Sequence, residues 1–350
     1  MPAPERSGGD GVTAPPAPAK TRSIRLKASA AGPARGVYIA LALTLVIGWI
    51  VVAIDGGSLF NQSTVVSLLH VATGLGLVAV GQTLVILAGS LDLSVAYVIS
   101  ISTLVAAETM AGSDGNILPA LGLVLLVAAA IGLLNGLLVT KLRINAFIAT
   151  VGVGLLLKGY LDNGYDGPAG KTAPAFVQSL GYQRIGPVPV AFLLLLAVAV
   201  AAWFAVRNTR FGHHLIAVGG DPDVARLSGV RNDRILIVAH VLCALCSGLA
   251  GIYLASRLGS GAPRVGVEGL YDLESIAAVV LGGTALAGGR GGVLGTVGGV
   301  LLLASIDSIF NQLEVDAFFK QVIRGVIIIA AVAVYARRMH RRRNSRKAAA

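Results

Sequence analysis

Apolar segments of about 20 residues recur along most of the chain, and short polar or glycine-rich stretches separate them. A helix of that length crosses the hydrocarbon core of a bilayer. The pattern therefore predicts an all-α integral membrane protein with about ten transmembrane helices. The predicted spans are Val37–Ile54, Thr64–Ala88, Leu93–Met110, Ile117–Val139, Phe147–Leu161, Val190–Val206, Ile235–Ala255, Asp272–Leu286, Val293–Phe310 and Phe318–Ala336.

The placement of basic residues orients these spans. Lys and Arg cluster before the first span, in alternate connections and after the last span, and cytoplasmic loops are the ones that carry an excess of such residues. Both termini are therefore predicted to be cytoplasmic. Residues 1–36, rich in Pro, Gly and Ala, are predicted to be a disordered basic tail, residues 37–336 a single transmembrane domain, and residues 337–350 a second basic tail.

One polar interruption, residues 207–234, carries dense signals for a helix. Asp221 is a good N-cap, Pro222 suits the first helical position, and Gly229 stands where a left-handed C-terminal cap falls. These signals predict a short helix, Pro222–Ser228, on the cytoplasmic side. A helix this short needs a surface to rest on. It is either a helix presented to a cytoplasmic partner or part of a topology loop, and both interpretations stay open.

The segment GSLDLSV places a carboxylate, Asp92, in an otherwise apolar setting. An unpaired carboxylate is costly in lipid, so Asp92 must face a partner or a watery cavity. Gly89 and Ser90 can break a helix, and Asp92 or Ser94 can cap the half-helix that follows. The segment is either a discontinuous helix near a transport route or an ordinary N-cap at the inner membrane surface.

Two amides lie within predicted spans, Gln82 and Asn135. A buried amide can hydrogen-bond a hydroxylated ligand or a neighbouring helix. Together with Asp92 and Ser94 they are candidate residues of a translocation pathway, and helix packing is the alternative. His70 and His240 are single histidines without metal-ligand spacing, so they are predicted to be packing or pore-side polar residues.

Composition excludes several classes of function. Charged residues make up only 13% of the 350 residues, against about 25% in soluble domains. The net charge of +11 follows from the tails and loops, which indicates contact with anionic lipid and not with nucleic acid. The cluster Gly288–Gly292 lacks the Lys-Ser/Thr ending of a phosphate loop and suits a tight turn between two packed helices.

No other site chemistry is predicted. Cys243 and Cys246 lie inside a span without a second pair, which favours packing over metal binding or redox chemistry. No nucleophile–base arrangement is evident, so no catalytic residue, metal or cofactor is predicted. The external segment 162–189 contains four prolines and is either a surface for an external partner or a capping loop.

Four stretches together resemble one family. GQTLVILAGSLDLSV, NGLLVTKLRINAFIATVG, TRFGHHLIAVGGDPDVARLSGV and LESIAAVVLGGTALAGGRGGVLGT are similar to membrane permease subunits of bacterial ATP-binding-cassette sugar importers of the ribose/xylose/arabinose type, over residues 60–335. Some positions depart from the family pattern. Ser90 and Leu91 precede Asp92, Ala96 replaces a usual glycine, and Asn145 stands where the family often has proline.

This resemblance implies a multi-pass protein of the bacterial cytoplasmic (inner) membrane, forming the pathway for a monosaccharide or related polyol. It implies a second permease, most simply in a homodimer, cytoplasmic ATPase subunits that hydrolyse the ATP, and an extracytoplasmic sugar-binding protein. The short helix would then be the coupling helix that contacts the ATPase. Its implied coupling residues are Asp221, Pro222, Asp223, Ala225, Arg226, Leu227, Ser228 and Gly229.

The alternative function is an ion-coupled secondary transporter of a small polar solute. Such a protein needs acidic or basic relays deep in several spans. Apart from Asp92, the centres of the predicted spans are nearly free of charge, which argues against this alternative.

Overall fold

The computed structural model describes residues 31–316, 318–326 and 329. The described chain is predominantly α-helical. In order, the helices are α1 (Ala31–Ile54), α2 (Gln62–Leu87), α3 (Val95–Met110), α4 (Ile117–Thr140), α5 (Ala146–Gly164), α6 (Pro174–Phe176), α7 (Val190–Asn208), α8 (Arg210–Gly220), α9 (Pro222–Leu227), α10 (Asn232–Leu258), α11 (Val265–Glu268), α12 (Tyr271–Leu281) and α13 (Val293–Gln312).

Shorter elements lie in the connections. A 3₁₀ turn, Asp114–Asn116, precedes α4, and a π-helical turn, Val177–Tyr182, follows α6. Strands β1 (Arg184–Ile185) and β2 (Val188–Pro189) form an antiparallel hairpin, in which Ile185 pairs with Val188. The predicted external segment 162–189 is therefore structured.

Six described helices are long and apolar enough to cross a membrane. They are Arg35–Ile54, Gln62–Leu87, Asp114–Thr140, Val190–Asn208, Asn232–Leu258 and Val293–Gln312. Helices α3, α5 and α12 occupy the third, fifth and eighth predicted spans, and α3 is a shorter apolar helix. The all-α membrane fold is confirmed.

Most helix ends lie within about three residues of the predicted spans, and two ends, the start of α1 and the end of α12, differ by more. The eighth span was predicted to reach Leu286, but α12 ends at Leu281 because Gly282 and Gly283 turn the chain, with Gly283 at φ +89°. The tenth span lies only partly among the described residues, which are helical at 318–326. Residues 31–36, predicted to be the end of the disordered N-terminal tail, are instead the first residues of α1. The rest of that tail, residues 1–30, and the predicted C-terminal tail, residues 337–350, lie outside the described residues.

Helices α2 and α10 form the centre of the molecule. Every residue of α2 from Ala72 to Leu87 is buried, and α10 packs against α2, α3 and α4. By contrast, less than a quarter of the residues in the apolar segments of α1, α4 and α7 are buried, as expected for an outer layer that faces lipid.

A glycine sets the closest approach of α4 to α10. A Cβ atom at Gly132 would lie 2.7 Å from the carbonyl oxygen of His240, so the two backbones touch without an intervening side chain. Asn135, one turn further along α4, is thereby brought to the centre of the bundle.

Candidate functional site

The polar stretch between α7 and α10 contains a helix that the sequence reading did not predict, α8 (Arg210–Gly220). Its Gly212, Leu215 and Val218 are buried at a spacing of three residues, which is one face of a helix. Leu215 belongs to the main apolar core of the molecule. Helix α8 is therefore fixed to the body of the protein.

The predicted short helix follows as α9. It begins at Pro222, as predicted, and ends at Leu227, one residue earlier than predicted. Asp221 is its N-cap: the carboxylate oxygen Oδ1 accepts hydrogen bonds from the backbone N–H groups of Asp223 (3.0 Å) and Val224 (3.1 Å).

The C-terminal end of α9 closes in a Schellman motif. Gly229 has φ +82°, its N–H donates to the carbonyl of Arg226 (3.0 Å), and the N–H of Val230 donates to the carbonyl of Ala225 (3.0 Å). Ser228, the C-cap, donates its hydroxyl to the carbonyl of Val224 (2.9 Å). The local sequence thus specifies both ends of α9.

Helix α9 points most of its side chains away from the protein. Ala225 is its one buried residue, whereas Leu227 is 88% exposed and Val224 is 58% exposed. Arg226 forms an exposed ion pair with Asp223 at 2.9 Å. An exposed apolar pair beside charged groups is typical of a contact surface for another protein.

The four candidate pathway residues, predicted from separate segments, meet at one place. Ser94 donates to Asp92 Oδ1 through its N–H (2.9 Å) and its hydroxyl (2.6 Å). Asn135 Nδ2 donates to Ser94 Oγ at 2.8 Å and lies 3.3 Å from Asp92 Oδ2, and Gln82 Nε2 donates to the Asp92 carbonyl at 3.2 Å. We call these residues, with Ser90 and His240, the Asp92 network.

His240 and Ser90 are members of the network that the sequence reading did not assign to it. His240 Nδ1 lies 3.3 Å from Asp92 Oδ2, and its Nε2 lies 3.0 Å from Ser90 Oγ. Which of the two ring nitrogens donates depends on the tautomer of His240. A single histidine within one predicted span and a single carboxylate in the interruption before another were the available signal, but nothing in the sequence indicates that the two side chains meet.

The Asp92 network stabilises the non-helical segment that separates α2 from α3. Ser94 is the N-cap residue of α3 but makes no capping side-chain hydrogen bond, and the Asp92 carboxylate instead accepts the N–H of Ser94. Gln82, Asp92, Ser94 and Asn135 are all fully buried. In this conformation they hold helices together and none of them lines an open passage.

The glycine-rich segment 282–292 is a tight connection between α12 and α13, as predicted. Gly288, Gly289 and Gly291 all have positive φ, and the N–H of Gly292 donates to Thr284 Oγ1 at 3.3 Å. The packed helices also come close behind this turn, because a Cβ atom at Gly295 would lie 2.0 Å from the Gly282 carbonyl oxygen.

Three charged groups of the described helices compensate one another. Arg324 contacts Glu274 of α12 at 3.0 Å and Asp307 of α13 at 2.5 Å, and all three side chains are less than one-third exposed. Within the described ranges, no group of three His, Cys, Asp or Glu residues is placed to hold a metal ion. Cys243 and Cys246 are free and buried, in agreement with a packing role.

Comparisons with known proteins find that the chain is similar to membrane permeases. A family profile described as "Branched-chain amino acid transport system / permease component" matches residues 64–332. The chain is 38% identical to the ribose import permease protein RbsC of Escherichia coli (strain K12), over 79% of this chain and 86% of the relative.

Two further relatives agree with this match. The ribose import permease protein RbsC of Bacillus subtilis (strain 168) is 34% identical over 86% of this chain and 91% of its own length. The L-arabinose transport system permease protein AraH of Escherichia coli (strain K12) is 35% identical over 73% of this chain and 77% of its own length. No solved structure matches the chain.

Proposed function

The chain belongs to the family of permease components of branched-chain amino acid transport systems, and from this premise we propose that it is the membrane permease subunit of an ATP-driven sugar importer. It is a multi-pass protein of the bacterial cytoplasmic membrane. Its relatives are named as ribose and L-arabinose permeases, which supports a monosaccharide as the transported substrate.

The observation that carries this proposal is helix α9. The helix has defined caps at both ends, yet it presents Leu227 and Val224 to the surroundings and contributes little to the core of its own chain. A helix of six residues gains no stability by itself, so its apolar exposed face suits a partner groove. We assign this contact to a cytoplasmic ATPase subunit.

The coupling residues are proposed to act in three ways. Asp221, Pro222, Ser228 and Gly229 fix the ends of α9, and Ala225 seats it on the permease. Leu227 provides apolar contact area for the ATPase. Arg226 and Asp223 provide an ion pair at the edge of that area.

The Asp92 network is proposed to act on the pathway by holding the interrupted segment between α2 and α3. The backbone of this segment is held by hydrogen bonds among Gln82, Asp92, Ser94 and Asn135, which come from three helices. A change in how these helices pack would therefore move the segment. The exchange between inward-open and outward-open states would then rearrange this buried segment.

The remaining partners follow from the same proposal. A second copy of this chain would complete the pathway, and an extracytoplasmic binding protein would deliver the sugar. The ordered external segment with the β1–β2 hairpin offers exposed Ile185 and Tyr182 as part of a surface for that protein. The permease itself contributes no group to ATP hydrolysis.

Purification of the chain from its native membrane tests the proposal. We expect a tagged permease to co-purify with an ATPase subunit, and the reconstituted complex, given its binding protein, to take up radiolabelled ribose, L-arabinose or galactose only with ATP. An ionophore that collapses ion gradients should leave uptake unchanged. Uptake that continues without ATP and stops with the ionophore would instead identify an ion-coupled secondary transporter.

A further inference from the structure

Three backbone segments meet beneath α2 with almost no side chain between them. They are the C-terminal end of α2 (residues 87–89), the C-terminal end of α8 (residues 219–220) and the turn at residues 288–289, which we call the glycine junction. A Cβ atom at Gly219 would lie 1.9 Å from the Leu87 carbonyl oxygen, and one at Gly288 would lie 2.7 Å from the Gly219 carbonyl oxygen. There is no space for a methyl group at either position.

The end of α2 is fixed to this junction by hydrogen bonds. Gly89 has φ +78°, its N–H donates to the Ile86 carbonyl (2.9 Å), and the Ser90 N–H donates to the Val85 carbonyl (3.0 Å), which is a Schellman motif. The Leu87 carbonyl is left without a partner in its helix and accepts the N–H of Gly289 at 3.0 Å.

The glycine junction lies between α9, the proposed contact with the ATPase, and the Asp92 network, and the proposed function must connect these two features. On one side, Gly220 ends α8 and is followed directly by Asp221, the N-cap of α9. On the other side, Gly89 is followed by Ser90 and Asp92 of the Asp92 network. Closely packed backbone does not compress, so a shift of α8 at Gly219 must move the end of α2, the turn or both.

We propose that Gly219 is a positioning residue for coupling: through the glycine junction, displacement of α9 reaches the interrupted segment between α2 and α3. This inference rests on the proposed contact of α9 with an ATPase. Gly219 itself lies on the face of α8 toward α2, and it is not part of the exposed surface of α9. Its role depends on having no side chain.

The chain offers a matched control in the next residue. A Cβ atom at Gly220 meets nothing within 4 Å, and neither Gly219 nor Gly220 has positive φ. Gly219→Ala and Gly220→Ala therefore add the same methyl group at adjacent positions of one helix, and only the first adds it against the α2 backbone.

The test compares these two variants in the full complex purified from the native membrane. We expect Gly219→Ala to retain normal ATPase co-purification and basal ATP hydrolysis, whereas uptake of the sugar transported by the wild type falls about tenfold or more. Gly220→Ala should match the wild type in all three measurements. The inference would be overturned if Gly219→Ala took up sugar like the wild type, or if Gly220→Ala lost as much uptake as Gly219→Ala. It would also be overturned if Gly219→Ala no longer co-purified with the ATPase.

A failure of the proposed importer function would give a different result from a failure of this inference, because uptake by the wild-type protein would then be independent of ATP. If Gly219→Ala does not accumulate in the membrane, hydrogen exchange in the wild-type complex decides. ATP binding should then change the exchange of peptides covering residues 86–92 and 284–292 together with that of α9. A change confined to α9 would overturn the proposed transmission.

Discussion

At the residue scale, Asp92 is the acceptor on which the buried polar contacts of the bundle centre converge. Its carboxylate accepts from Ser94 and Asn135 and faces His240, and its side chain has no exposed surface. A buried acceptor of this kind satisfies several donors at once, so its removal leaves the N–H and the hydroxyl of Ser94 without an acceptor and leaves Asn135 with Ser94 Oγ alone.

We expect Asp92→Ala to lower both transport and thermal stability. Leaving one buried donor unsatisfied costs about 1–3 kcal/mol, and this substitution leaves the N–H and the hydroxyl of Ser94 without their acceptor and removes the carboxylate that faces His240. Thermal unfolding in detergent and sugar uptake measure the two effects. The exposed Asp55→Ala is the control and should behave as the wild type. An Asp92→Ala protein with wild-type melting and uptake would reduce Asp92 to a dispensable helix cap.

At the element scale, the adjacent helices α8 and α9 differ in what they pack against. Helix α8 buries Leu215 and Val218 against the body of the protein, whereas α9 leaves its apolar residues uncovered. Substitutions on the outer face of α9 should therefore affect a partner and leave the fold of the permease unchanged.

We expect Leu227→Ser to weaken association with the ATPase without reducing the amount of permease in the membrane. Burial of a leucine side chain contributes about 1.5–3 kcal/mol, which corresponds to a loss of affinity on the order of tenfold to a hundredfold. Quantitative co-purification measures this loss. Leu118→Ser changes a leucine that is 80% exposed at the opposite end of the bundle, where we expect no effect on the ATPase. Equal retention of the ATPase by both variants would contradict the docking role of α9.

At the scale of the whole molecule, the positions of α9 and of the β1–β2 hairpin define the two sides of the membrane. The positive-inside rule assigns the arginine-rich stretch 207–234 to the cytoplasm and the hairpin to the exterior. Leu227 and Ile185 are exposed at these two sites, at 88% and 64%.

We expect a membrane-impermeant maleimide to label Ile185→Cys in intact right-side-out vesicles and to label Leu227→Cys only after the vesicles are permeabilised. The native Cys243 and Cys246 are buried, so the unmodified protein provides an unlabelled background. Labelling of Leu227→Cys from outside would reverse the orientation and remove α9 from the reach of a cytoplasmic ATPase.

The sequence by itself determined the local features. Apolar runs as long as the bilayer is thick predicted the spans. Asp221, Pro222 and Gly229 predicted where α9 begins and ends, because a capping residue acts on backbone groups only a few positions away. The sequence also identified Asp92 as needing a partner, since a carboxylate in an apolar setting is costly wherever the fold places it.

The tertiary structure alone decided which distant residues meet. His240 lies 148 positions from Asp92, and Gly219 lies far along the chain from both Leu87 and Gly289, so no local pattern relates them. Helix α8 was missed although local signals for it are present: Thr209 caps its N-terminus, and Gly212, Leu215 and Val218 recur at helical spacing. Its packing on α2 and α7 is visible only in the tertiary structure. These contacts depend on which helix faces pack together, and helix packing is a property of the whole bundle and not of any one segment.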